Sequence, residues 1–237
     1  MIYKQEKAIK SRVWQKNGKK PLSVRSRILL GNATLLGILT SFMLLRTIEP
    51  AAAHHPMGGQ IPSNFWEGLL SGIGHPIIGI DHLVFVVAVG LIAALVNQGF
   101  LIPISFITTA MLGTVFHLLN FNLPQVEIAI AISVVAFGIM LALKQKLNTP
   151  LLAIIAATAG IFHGYAYGEA IIGAEITPLL TYLIGFSVIQ LLIALLAMKF
   201  VELINHHWQN QTFSLMRFLG FVITGIGAVF ATNSFLK

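Results

Sequence analysis

From about residue 80 to the C-terminus, long uncharged apolar runs alternate with short polar joints. The runs lie at about 80–97, 101–121, 126–144, 150–168, 177–199 and 214–234. Each is close to the ~20 residues that a helix needs to cross the bilayer core. The joints carry turn formers: Asn97 and Gly99, Asn122 and Pro124, Asn148 and Pro150, Gly173 and Pro178. This pattern predicts six transmembrane helices. Just upstream, residues 63–74 are short and aromatic, with Phe65, Trp66, Leu69 and Leu70. They predict an interfacial helix with Trp66 at headgroup level. Further upstream, a basic head and the apolar run Ile28 to Leu45 lead to small residues at Ala51 and Ala53, the order of a secretory signal. The run is long for such a signal, and the alternative is a retained anchor helix. Residues 1–53 are therefore expected to be a signal peptide or anchor, and 54–237 a six-helix transmembrane domain. Cleavage after Ala53 would leave His54-His55-Pro56 at the mature N-terminus.

Composition agrees with the pattern. Of 237 residues, 56% are hydrophobic and 10% charged, with a mean hydropathy of +0.84. Soluble domains carry about 25% charged residues, so the fold class is an all-α polytopic membrane bundle. The net charge of +7 is concentrated in residues 1–27, where nine basic side chains face only Glu6. Basicity confined to the head marks topology and not nucleic-acid binding. With the head inside, Lys144, Lys146, Lys199 and Arg217 fall on the cytoplasmic side, while Glu49, Glu67, Glu127, Glu169 and Glu175 fall outside. The expected location is a bacterial cytoplasmic (inner) membrane, with the mature N-terminus and the C-terminus on its outer side. There is no cysteine, which excludes disulfides and thiolate metal ligands. Any bound metal must rest on imidazole, carboxylate, backbone or water.

One stretch stands out chemically: His75-Pro76-Ile77-Ile78-Gly79-Ile80-Asp81-His82, at the mouth of the first apolar run. Ionisable groups beside hydrocarbon are costly and mark ion paths or reaction sites. Histidine with aspartate suits borderline divalent metals. Pro76 fits the first position of a helix, which makes His75 a cap, and the seven-residue spacing puts His75 and His82 on one face of a continuous helix. Asp81 is either a ligand or the partner that orients His82. The topology places His82, His117 and His163 at one depth, in the outer third of the bilayer. Their bland alternative is interhelical hydrogen bonding. His54 and His55 become capture ligands if cleavage frees an amine beside them. Glu169 reads as a vestibule carboxylate or a solvated charge, and Glu127 as an interfacial charge. Asn120 and Tyr165 read as bundle glue, His206 and His207 as a solvated cytoplasmic loop, and Gly220, Gly225 and Gly227 as packing positions.

The His-Pro-x-x-Gly-x-Asp-His run at 75–82, together with His163-Gly164-Tyr165-Ala166-Tyr167-Gly168-Glu169, resembles the HupE/UreJ family of membrane proteins. His54-His55-Pro56 after an alanine-rich signal is similar too. The resemblance implies uptake of nickel, or in some members cobalt, for metalloenzyme or corrin synthesis. Tyr167 departs from the pattern, in which many members carry histidine, so the resemblance implies one imidazole fewer on that helix. The expected function is import of a divalent transition metal, Ni2+ or Co2+, as transported substrate, with no catalytic residues and no separate cofactor. The expected metal residues are His75, Asp81, His82, His117 and His163, with His54, His55 and Glu169 behind them. No phosphate-cradling Gly-rich loop is present, so the chain does not itself hydrolyse nucleotide. Two rivals share these residues: an intramembrane zinc-type hydrolase with Asp81 as base, and a non-transporting accessory subunit. Beyond the ion and the bilayer, the partners compatible with this reading are further copies of the chain or metalloenzyme-maturation proteins.

Overall fold

A computed structural model describes residues 60–143, 148–207 and 212–236. The expected signal or anchor at 1–53, with His54 and His55, lies outside the described residues. These hold seven helices and no strand: α1 Phe65–Ile78, α2 Ile80–Ala93, α3 Leu101–Leu118, α4 Val126–Ala142, α5 Thr149–Glu169, α6 Ile176–His207 and α7 Thr212–Phe235. The chain is an all-helical membrane bundle. By length and hydropathy α3, α5, α6 and α7 can each cross a bilayer, and α1 with α2 adds a fifth crossing if the bent pair counts as one. The remaining expected run holds α4, an apolar helix of 17 residues.

The first two helices differ from expectation. Instead of a short interfacial helix followed by a separate span, α1 runs on through His75 and Pro76 and stops at Gly79. After that single-residue break, α2 leaves at 79°. The start of α1 is set by its sequence: the Asn64 side chain accepts from the backbone N–H groups of Trp66 (3.1 Å) and Glu67 (3.0 Å). Glu67 reaches back to accept from the Ser63 N–H and hydroxyl. These bonds satisfy donors that a helix N-terminus leaves open. At the other end of the bundle, His206 and His207 form the last turn of α6 and not a loop.

Lipid tails give no hydrophobic incentive for helices to associate, so close packing must do it. Small residues provide that closeness in three pairs. Along α5, Gly160, Gly164 and Gly168 recur every four residues against α3, and a Cβ at Gly164 would strike the Ala110 carbonyl. Gly72 of α1 lies on the Tyr182 backbone of α6, and Gly220 of α7 on Gly138 and Ala142 of α4. Between these pairs runs α2, in contact with α3, α4, α6 and α7. Phe85, Val86, Ala88, Val89, Leu91 and Ile92 of α2 are all buried, which makes it the apolar axis of the bundle. The outer faces are apolar as well: Leu191, Leu192, Leu195 and Leu196 of α6 are exposed, as lipid-facing positions should be.

Candidate functional site

The break at Gly79 builds the centre of the site. His75 lies in the last turn of α1, and Asp81 and His82 in the first turn of α2. Pro76 sits inside α1 and does not open the next helix, so His75 is no cap, contrary to expectation. The two histidines do not share a face of one helix either. The bend folds them together, with ring centroids 5.7 Å apart. Gly79 has an ordinary φ of −70°; what it supplies is space, because a Cβ there would lie 2.6 Å from His82 Cδ2. Asp81 Oδ1 accepts the backbone N–H of His82 at 2.9 Å. Its carboxylate sits in the first turn of α2, where the helix dipole favours negative charge.

Around this corner the polar groups are buried: His75 and His82 are 1% exposed, His163 0% and Asp81 8%. His82 Nδ1 meets His163 Nδ1 of α5 at 2.9 Å. His163 Nε2 meets the hydroxyl of Ser133 on α4 at 2.9 Å. Behind His75, Nδ1 meets the Tyr182 hydroxyl of α6 at 2.9 Å. The Tyr167 ring stands between the two α1–α2 histidines, 5.1 Å from His75 and 4.6 Å from His82. Its hydroxyl is buried with no hydrogen-bond partner among the described residues. On the apolar side Phe85 lies against His163 at 4.4 Å, and Phe106 at 5.5 Å. Five helices therefore contribute to one buried cluster of imidazoles, hydroxyls and a carboxylate.

The other expected residues lie elsewhere. His117 Nδ1 donates to the Tyr165 carbonyl at 2.7 Å and its ring lies 4.2 Å from the Tyr165 ring, so it cements α3 to α5. Asn120 is exposed in the turn that follows α3, with a left-handed φ of 60°, and so is not buried between helices as bundle glue would be. Glu169 and Glu127 are exposed, as are His206 and His207. Among the described residues no three of His, Asp and Glu form a group that could hold a metal ion. Ser133 and Tyr182 are not among the residues expected from the sequence. Ser133 is the one hydroxyl residue in Val126–Ala142, and a lone polar group in an apolar span is the signal that could have found it.

The apolar, glycine-packed helices define a multi-pass membrane protein, and a cluster of polar groups is buried within its bundle. The chain belongs to the HupE/UreJ family: the model of that family, described as "HupE / UreJ protein", matches residues 42–230. One similar curated protein is "Protein HupE" of Rhizobium leguminosarum bv. viciae, 33% identical over 121 residues, which cover 50% of this chain and 61% of that protein. The chain thus spans about three fifths of the length of the curated relative it matches. No solved structure matches it.

Proposed function

We propose that this protein imports a divalent transition metal, nickel or cobalt, across a bacterial cytoplasmic membrane, and that the ion is taken up at His75, Asp81 and His82. The observation that carries this reading is the broken helix: the Gly79 bend gathers two imidazoles beside a carboxylate inside an apolar bundle. Broken helices at membrane depth are where transporters build ion sites. Membership of a family linked to nickel and cobalt uptake or accessory roles supports the same reading. The donor set fits the cargo, since imidazole suits nickel and the carboxylate supplies charge. In this proposal His117 belongs to helix packing, and Glu169 to the outer surface. His54 and His55 precede the described residues and would act earlier, in capture.

The test is uptake of radiolabelled nickel and cobalt by cells expressing the chain or its His82→Ala form. Uptake that depends on His82 supports import and identifies the preferred metal. Metal bound by the purified chain without uptake would favour the accessory reading. If neither occurs while the protein is in the membrane, metal handling at this site is wrong.

A further inference from the structure

Gln190 lies near the middle of α6 and is 0% exposed. Its amide Nε2 donates to the Phe186 carbonyl, one turn back on the same helix, at 3.0 Å. That bond fixes the orientation of the amide, because the flipped form would set two acceptors against each other. Oε1 is then a buried acceptor, and it has no hydrogen-bond partner among the described residues. Polar side chains that join membrane helices bond across to a neighbouring helix, whereas this amide bonds back to its own. A leucine would fill the position without an unsatisfied oxygen in an apolar interior, which is costly. Packing alone does not account for glutamine here.

Ser187, three residues earlier on α6, shares that face of the helix. Hydroxyls elsewhere in these spans bond back to the carbonyl one turn earlier, as those of Ser105, Thr158 and Thr232 do. Ser187 Oγ does not; it too is buried without a partner among the described residues. Two contacts give the level of the pair. At one end Tyr182 of α6 meets His75 at 2.9 Å. Farther along, Gly90 of α2 packs on α6, where a Cβ would strike the Ala194 carbonyl. The two helices thus leave the histidine corner in the same direction and close on each other at Gly90 and Ala194. Gln190 falls between these levels, ~12 Å along α6 from Tyr182 and ~6 Å before Ala194, at ~1.5 Å per residue. In the proposed topology this is inward of the uptake site.

We infer that Ser187 and Gln190 form a second, oxygen-only station, which the divalent cation meets after it leaves the histidine corner. The inference rests on the proposed import and extends its path inward. A neutral amide oxygen presents the negative end of a dipole to a cation, or to the hydrogens of the waters that it still carries. The serine hydroxyl adds a second oxygen on the same face. Neutral oxygens attract the ion weakly: imidazole suits the capture of nickel, while carbonyl oxygen holds it less firmly. Passage requires sites of that kind, favourable enough to enter and weak enough to leave. Charge is most costly in the apolar middle of a bundle, and this is the level at which the two free oxygens lie.

The test uses the purified full-length chain in liposomes with an inside-negative potential, a metal-quenched dye inside, and Ni2+ or Co2+ outside. Gln190→Leu should lower the maximal rate of metal entry about ten-fold, the effect of one lost charge-assisted contact. Its equilibrium affinity for the metal should match that of the wild type, because the histidine corner is untouched. Its melting temperature should equal or exceed the wild-type value, because leucine removes an unsatisfied oxygen. Ser187→Ala should act in the same direction and more weakly. Wild-type entry in Gln190→Leu would overturn the inference. A fall in melting temperature together with entry would overturn it too, since Gln190 would then be structural. So would a loss of affinity that saturating metal repairs, since Gln190 would then belong to capture. Failure of the wild-type chain to admit either metal sinks the import reading and the station with it. Entry that depends on His82 and not on Gln190 removes the station alone.

Discussion

The bend at Gly79 can be tested by adding a single methyl group. In Gly79→Ala the new Cβ would lie 2.6 Å from His82 Cδ2, about 0.8 Å inside the 3.4 Å at which ordinary contact begins. The backbone itself is unstrained, because φ −70° and ψ 99° are open to alanine. The ring must therefore yield. His82 is held to His163 at 2.9 Å, and a shift of that size along the bond exceeds hydrogen-bonding distance. Alanine also favours continuing the helix by about 1 kcal/mol relative to glycine, which acts against the 79° bend. The expected result is a chain that reaches the membrane at normal levels and binds Ni2+ about 10–100-fold more weakly, equivalent to about 1.4–2.8 kcal/mol. Calorimetric titration of purified protein, with immunoblotting of membranes for abundance, measures both. Wild-type affinity in Gly79→Ala would show that the His82 position does not matter to the ion, and would remove the bend from the mechanism.

Asp81→Asn keeps the shape of the side chain and its acceptor for the His82 N–H, but loses the charge; uptake should be abolished with expression intact, and retained uptake would free the mechanism of Asp81. His117→Ala should lower stability by about 1 kcal/mol, the worth of one hydrogen bond, while most nickel uptake persists; loss of uptake equal to that of His82→Ala would return His117 to the ion path. Gly164→Ala puts a methyl group into the Ala110 carbonyl, where backbone cannot give way, so folded protein should fall sharply in membranes; normal abundance would contradict the tight α3–α5 contact.

The apolar runs were legible because lipid demands them: each expected span contains a helix, with ends moved by a few residues in most and extended to His207 in α6. The His75–His82 run was legible as chemistry for the same reason, since little else explains charge beside hydrocarbon. The bend was not. Ile77, Ile78 and Ile80 flank Gly79 with apolar residues that suit a helix, and Pro76 reads as a helix start when only its φ preference is considered. Helix rotation was also hidden. His117 and His163 fall at comparable depth by residue count, yet one lies on Tyr165 and the other against His82. Which face a helix presents is decided here by glycine contacts between helices, and those are not written in hydropathy. Ser133 and Tyr182 are not legible for a related reason: the partner of a hydroxyl is set only by what the folded neighbours bring to it.

Under the proposed import, the modest donor set has a physical logic. A resident metal needs full coordination, whereas a passing ion needs a site that it can also leave. Two imidazoles and one carboxylate leave several positions of a divalent ion to water. The α2 N-terminus also adds a partial positive charge of roughly +0.5 beside Asp81, opposing the cation. Accumulation does not depend on tight capture, because an ion of charge two gains about 4.6 kcal/mol per 100 mV of inside-negative potential, at ~2.3 per unit charge. That corresponds to more than a thousand-fold at about 1.4 kcal/mol per decade. Capture and driving force are thus separable. Gly79→Ala, which weakens capture, should regain the wild-type uptake rate at saturating nickel, while Asp81→Asn, which removes the charge that draws the ion into the bundle, should not. If nickel concentration rescues both equally, Asp81 contributes affinity alone and the ion's entry must be drawn by the field.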